Sequence, residues 1–107
     1  MKIVKVTYTT TAGYAEQNQR NIKKVMSDLQ ELAHPGIFYH VCMGADGKSF
    51  THTAFFSTEE YQQILFDLVS FQTFQSELKQ SGLDSPPKQE FLTLVGSSKQ
   101  IFNEKIN

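Results

Sequence analysis

With 107 residues, 39% of them hydrophobic and nine of them Phe, the chain suits one packed domain and leaves no room for a second. Ten basic against eleven acidic side chains give a net charge of -1 with no clustered basic face, which argues against a nucleic-acid partner. Cys42 is the single cysteine, so no disulfide forms within the chain, and no apolar run approaches the ~20 residues of a membrane span.

The N-terminal run Met1 to Val6 alternates too early for a signal peptide, so a cytoplasmic protein is expected. From Lys2 to Thr9, Val4, Val6 and Tyr8 fall on one side and Lys5, Thr7 and Thr9 on the other, the pattern of a half-buried strand. A helix follows from about Ala15 to Ala33, with Glu16 placed to reach back towards a cap at Gly13. Its apolar arc holds Ala15, Ile22, Val25, Met26, Leu29, Leu32 and Ala33, against Arg20, Lys23, Lys24 and Glu31 opposite. His34-Pro35-Gly36 reads as its stop, with a cation near the helix C-terminus and then glycine.

Two strands, Ile37 to Met43 and Phe50 to Phe56, flank Asp46-Gly47, a favoured type I′ pair. A two-residue loop there sets Met43 opposite Phe50 and Val41 opposite His52. One hairpin face then carries Ile37, Tyr39, Val41, Met43, Phe50, His52, Ala54 and Phe56. The other carries Phe38, His40, Cys42, Thr51, Thr53 and Phe55. Ser57 to Glu60 reads as a capping box. The helix behind it turns its apolar stripe from Tyr61, Ile64, Leu65 and Leu68 to Phe71, Phe74 and Leu78, so a break is expected near Ser70, which would cap a second piece ending by Gly82. Leu83 to Lys88 reads as a loop and Gln89 to Val95 as the last strand, ended by Gly96. The tail from Lys99 is expected to set Ile101 and Phe102 against the body and then fray.

The order βαββαβ predicts an α+β, ferredoxin-like fold: a four-stranded antiparallel sheet with its helices on one face. Phe38, Cys42 and Phe55 on the other face predict a homodimer joined through facing sheets, unless the tail covers that face within one chain.

Pro35-Gly36-Ile37-Phe38-Tyr39, Asp46-Gly47-Lys48-Ser49-Phe50-Thr51-His52, Ser57-Thr58-Glu59-Glu60-Tyr61 and Phe71-Gln72-Thr73-Phe74 are spread between residues 35 and 74. On them it resembles the dimeric α/β-barrel proteins related to antibiotic-biosynthesis monooxygenases (ABM). The resemblance implies two facing sheets and an enclosed pocket near the junction of the third strand and second helix. Members that oxidise phenolic polyketides without a cofactor carry Asn, then Trp, then Tyr where this chain has Thr51, Phe55 and Tyr61. Haem-degrading members have a Trp where Phe55 stands and a haem-ligating His where Leu65 stands, so haem is not expected. No cofactor is implied.

On the dimer reading, His40 and Tyr61 are the candidate catalytic residues, His40 as a base near neutral pH and Tyr61 as a hydroxyl donor at the pocket mouth. Phe38, Cys42, Thr51, Thr53, Phe55 and Asn18 are candidate pocket residues for a small apolar or aromatic ligand. Each has a plainer reading: His40 bonded to Thr53, Cys42 a small core side chain, Tyr61 a helix core residue with a wet tip, Asn18 the cap of a gap. His52 faces the helices and reads as structural, and His34 as a helix-end residue. The three histidines lie apart, so no metal site is expected. Lys48 to Phe55 faintly echoes the aromatic strand of RNA-recognition domains, but His52 stands in the stacking position and the charge is not basic. Two functions are carried forward: a cofactor-independent monooxygenase-like enzyme, and a non-catalytic ligand-binding or stress-related dimeric module.

Overall fold

The computed structural model describes residues 1–102. Its elements are β1 (Lys2–Thr10), α1 (Ala15–Leu32), β2 (Ile37–Met43), β3 (Ser49–Phe56), α2 (Tyr61–Asp67), α3 (Val69–Gln80) and β4 (Leu83–Leu92). The strands form one antiparallel sheet in the order β2-β3-β1-β4, which is the ferredoxin-like arrangement. The central pair shows why. In β3 the residues alternate without a slip, Phe50, His52, Ala54 and Phe56 buried and their neighbours half-buried. Their buried face meets Val25 of α1, Leu65 of α2 and Phe71, Phe74 and Leu78 of α3 in one cluster. Phe50 and Phe56 are almost wholly enclosed, and each contributes about 2–3 kcal/mol by leaving water.

The hairpin register is as expected, with Met43 opposite Phe50 and Val41 opposite His52. Its loop is not. Gly44 pairs with Ser49, and only Gly47 has positive φ, so four residues rather than two make the turn. The Asp46 carboxylate accepts from the backbone N–H groups of Lys48 and Ser49 at 3.0 and 2.8 Å, which holds the longer loop.

Three helix ends also differ. Tyr14 and not Gly13 caps α1, without a side-chain bond, and Glu16 turns outward to Arg20. Ala33 ends α1 in the left-handed region at φ 52°, so Leu32 and Ala33 leave the buried arc. His34 accepts from the Gly36 N–H through Nδ1 instead of donating to helix carbonyls. Ser57 forms no capping box, since α2 starts only at Tyr61 with Glu60 as its cap residue. The expected break falls at Leu68, in extended backbone (ψ 126°), so Ser70 lies inside α3 and caps nothing. Both stripes still meet the sheet side: Leu65, Phe71, Phe74 and Leu78 are buried.

β4 starts six residues before the expected strand and ends three before its expected end. Pro86 and Pro87 do not exclude a strand here because β4 is an edge that bonds only β1, and the register slips where they pass Tyr8. In the tail, Ile101 is half-buried and Phe102 is buried. The fraying expected beyond them concerns 103–107, outside the described residues.

Gly36 has a different role from the expected helix stop. A methyl there would lie 2.5 Å from Tyr61 Cδ2 and 2.6 Å from Ser57 Oγ. Backbone and ring therefore pack directly where β2 begins. We expect Gly36→Ala to cost about 1–3 kcal/mol of stability through overpacking. Urea unfolding monitored by circular dichroism measures it, and an unchanged midpoint would contradict the close approach.

Candidate functional site

On the helix side of the sheet, three rings and one amide form a continuous chain. Tyr8 of β1 and Tyr39 of β2 flank His52 of β3, and Asn18 of α1 reaches down from above. The Asn18 Nδ2 donates to Tyr8 Oη at 2.8 Å. Tyr8 Oη lies 2.7 Å from His52 Nε2, and Tyr39 Oη lies 2.5 Å from His52 Nδ1. The distances allow two proton orders. In the one where Tyr8 O–H goes to Nε2, the imidazole carries its proton on Nδ1 and donates to Tyr39 Oη. In that order the Tyr39 hydroxyl keeps a proton to give. Asn18 Oδ1, fully buried, has no partner among the described residues.

Burial holds every member of this chain neutral. It pushes the His52 pKa down to about 3 and both the Tyr8 and Tyr39 phenols above their ordinary value. For Tyr8 the bond from Asn18 opposes that rise without overcoming it.

The chain forms part of the wall of a cavity of about 650 Å³ between the sheet and the pair α2 and α3, bounded on its far side by Pro87 and Gln89 of β4. Most of its lining is aromatic or aliphatic, Phe66, Phe71 and Phe74 among it, and Lys79 is the single charged side chain. A cavity of this size and polarity suits one small organic molecule. Among the described residues no group of His, Cys, Asp and Glu is placed to hold a metal.

The sequence-predicted site residues divide between the two sheet faces. His40, Phe38, Cys42, Thr51, Thr53 and Phe55 gather on the open face, with His40 opposite Thr53, Cys42 opposite Thr51 and Phe38 opposite Phe55. The Phe38 and Phe55 rings stack at 5.5 Å. His40 and Cys42 are exposed on this face of the single chain. Tyr61 is elsewhere again, packed edge-on to His34 at 4.3 Å. Asn18 lies across the sheet from the open-face group.

Tyr8, Tyr39 and His52 were not among the expected site residues. The signal lay in the register. Tyr39 faces Ala54 and Tyr8 faces Phe50, the two same-face neighbours of His52 along β3, so both hydroxyls reach it diagonally.

The open face has its own order. Phe38, Phe55, Ile3 and Leu92 are successive partners across all four strands, an apolar row at one end of the sheet. The next row is His40, Thr53, Lys5 and Glu90. Phe38 is 45% exposed, whereas Ile3 is 4% exposed and, like Phe102, lies outside the cluster beneath the helices.

No family model and no curated protein matches the sequence. Solved structures do. A proposed antibiotic biosynthesis monooxygenase from Nitrosomonas europaea superimposes with a TM-score of 0.75 at 13% identity, covering 90% of this chain and 100% of that one. Rv0793 from Mycobacterium tuberculosis gives 0.74 at 10% identity, covering 92% and 98%. A variant of SnoaB, a cofactor-independent oxygenase from Streptomyces nogalater, gives 0.66 at 12% identity, covering 92% and 98%. The fold is therefore ferredoxin-like and resembles that of structures described as antibiotic biosynthesis monooxygenases, and the likeness in fold extends over nearly the whole chain.

A neutral His52 has a pH signature. An unfolded chain takes up the histidine proton as pH falls through about 6.5, and the folded one only near 3. The stability that His52 retains above pH 6.5 is thus lost progressively on acidification, about 3 kcal/mol of it by pH 4. His52→Phe should be less stable than wild type at pH 7 and should close or reverse that gap by pH 4 in urea titrations. A gap that stays constant over this range would contradict a neutral His52.

Proposed function

We propose that the protein is a cofactor-free oxygenase that acts on a small, flat phenolic molecule held between the sheet and the helices, and that it works as a homodimer. The observation that carries this reading is the Tyr39 hydroxyl on the wall of a mostly apolar cavity, 2.5 Å from His52 Nδ1. The cofactor-independent oxygenase SnoaB shares the fold, which is consistent with it.

Phenols with an adjacent ring methylene carry enough electron density, once ionised, to reduce O2 directly. The ionised substrate passes one electron to O2, and the radical pair joins at the methylene carbon as a hydroperoxide. Loss of water from it leaves a carbonyl. One oxygen atom enters the product, the other leaves as water, and all four electrons come from the methylene carbon. The protein's part is to favour the oxyanion. Tyr39 donates to the substrate oxygen, and His52 Nδ1–H, donating to Tyr39, makes that hydroxyl a stronger donor. Tyr8 and Asn18 hold the tautomer. The phenolic proton leaves to water, because Tyr8, Tyr39 and His52 are all held neutral.

One observation favours the alternative, a non-catalytic ligand-binding module: no side chain of the cavity wall is a base poised near neutral pH. In either case the second copy is assigned the open face, where it would cover Phe38, Phe55 and Leu92 along with His40, Cys42, Thr51 and Thr53.

Oxygen uptake with anthrone, whose enol ionises as a phenol and whose ring methylene would become the carbonyl, tests the chemistry. Tyr39→Phe is expected to lower the rate about 100-fold, while His40→Ala and Tyr61→Phe stay within about twofold. Binding without uptake above a protein-free blank would leave the ligand-binding reading, and loss of activity in His40→Ala would move the site to the open face. Sedimentation is expected to show a dimer at micromolar concentration that Phe38→Lys converts to a monomer. A wild-type monomer would end the dimer proposal.

A further inference from the structure

A second apolar space, of about 620 Å³, runs between α1 and β2, on the other side of Tyr39 from the cavity above. One wall is a single stripe of α1 with Ile22, Met26 and Leu29, and the other is the helix-facing row of β2 with Ile37, Val41 and Met43. The two walls do not close on each other. Met26, Leu29, Ile37 and Val41 are only half-buried, and Met43 is 46% exposed. The reason is topological. β2 is the outer strand of the sheet, while α1 lies beside α3 nearer the centre, so the helix overhangs the edge strand without seating on it.

The shape is long and narrow. From Gln19 to Ala33 the helix wall rises about 20 Å at 1.5 Å per residue, and the strand wall from Ile37 to Met43 spans about 20 Å at 3.3 Å per residue. The charge is one-sided. Lys23 is the single formal charge of the lining, which contains no Asp or Glu. Its neighbour Lys24 is paired with Asp28, whereas Lys23 makes no ion pair among the described residues. An apolar slot of this length with one free ammonium at its border does not match the flat molecule suited to the other cavity.

We infer that this slot binds a single unbranched amphipathic carboxylate, its alkyl chain lying between α1 and β2 and its head group meeting Lys23. A free monomer fits the concave slot, because a membrane surface would have to meet a rim that also carries the exposed Gln30 and the polar Gln19. Tyr39 stands between the two spaces and lines both, but the six wall residues named above lie outside the Tyr8–His52–Tyr39 chain, so binding here is separable from the oxygenase reading.

Titration with decanoate, below its micelle concentration, tests it by calorimetry and by amide chemical shifts. Saturable one-to-one binding is expected, with the largest shifts at Met26, Leu29 and Val41. Lys23→Glu, a surface change that leaves the fold intact, should weaken binding at least tenfold, and decanol should bind at least tenfold more weakly than decanoate. Met26→Trp, which fills the slot, should abolish binding in a protein whose spectrum otherwise matches wild type. The inference is overturned by no binding up to 1 mM decanoate, by affinity unchanged in Lys23→Glu, by shifts centred on Phe71 and Phe74, or by uptake only onto phosphatidylglycerol vesicles.

Discussion

A buried imidazole with both nitrogens occupied by tyrosine hydroxyls constrains more of this molecule than any other contact. Tyr8, Tyr39 and His52 come from three adjacent strands, and Asn18 comes from the helix above them. Moving any of the four elements by an ångström would leave a buried polar group unpaired, at a cost of about 1–3 kcal/mol for each group. The chain thus locks the β1, β2 and β3 register to the position of α1 while adding polar atoms to an aromatic core. Tyr8 stacks on Phe50 at 5.6 Å, and His52 lies against Phe74 at 5.3 Å, so the same rings that carry the hydrogen bonds also fill space.

That arrangement divides the labour between the two sides of the sheet. The helix side supplies a recess walled largely by apolar side chains, beside which hydrogen bonds are worth more than in open water. The open side supplies a surface graded along the strands, from the apolar row through Phe38 and Phe55 to the polar row of His40, Thr53, Lys5 and Glu90. Histidine appears on both sides with opposite physics. His52 is buried and held neutral, whereas His40 is exposed beside Phe38 and Phe55.

Much of the fold was legible because period-two patterns are local. The alternation in β1 and β3 and the Asp46-Gly47 turn set the hairpin register without tertiary information, and the rotated stripes of Leu65 and Phe71 announced a broken helix. Other features depended on neighbours that a sequence does not display. Pro86 and Pro87 argue against a strand until β4 is known to be an edge. Ser57 and Ser70 have the chemistry of caps, but the helices start elsewhere because backbone geometry at Glu60 and Leu68 sets their ends. The candidate site was divided for the same reason. An ionisable side chain on the mixed face points to His40 and a helix-facing position reads His52 as structural, yet the core face is where Tyr8 and Tyr39 converge once β1 is paired with β3.

The central claim is that His52 is a neutral imidazole fixed in one tautomer between two phenols. Long-range 1H–15N correlation of the histidine side chains reads this directly. The account predicts a His52 signal with Nδ1 protonated and Nε2 unprotonated at pH 7, unchanged at pH 5. A doubly protonated ring at pH 5, or averaged nitrogen shifts of a ring exchanging between tautomers, would contradict it.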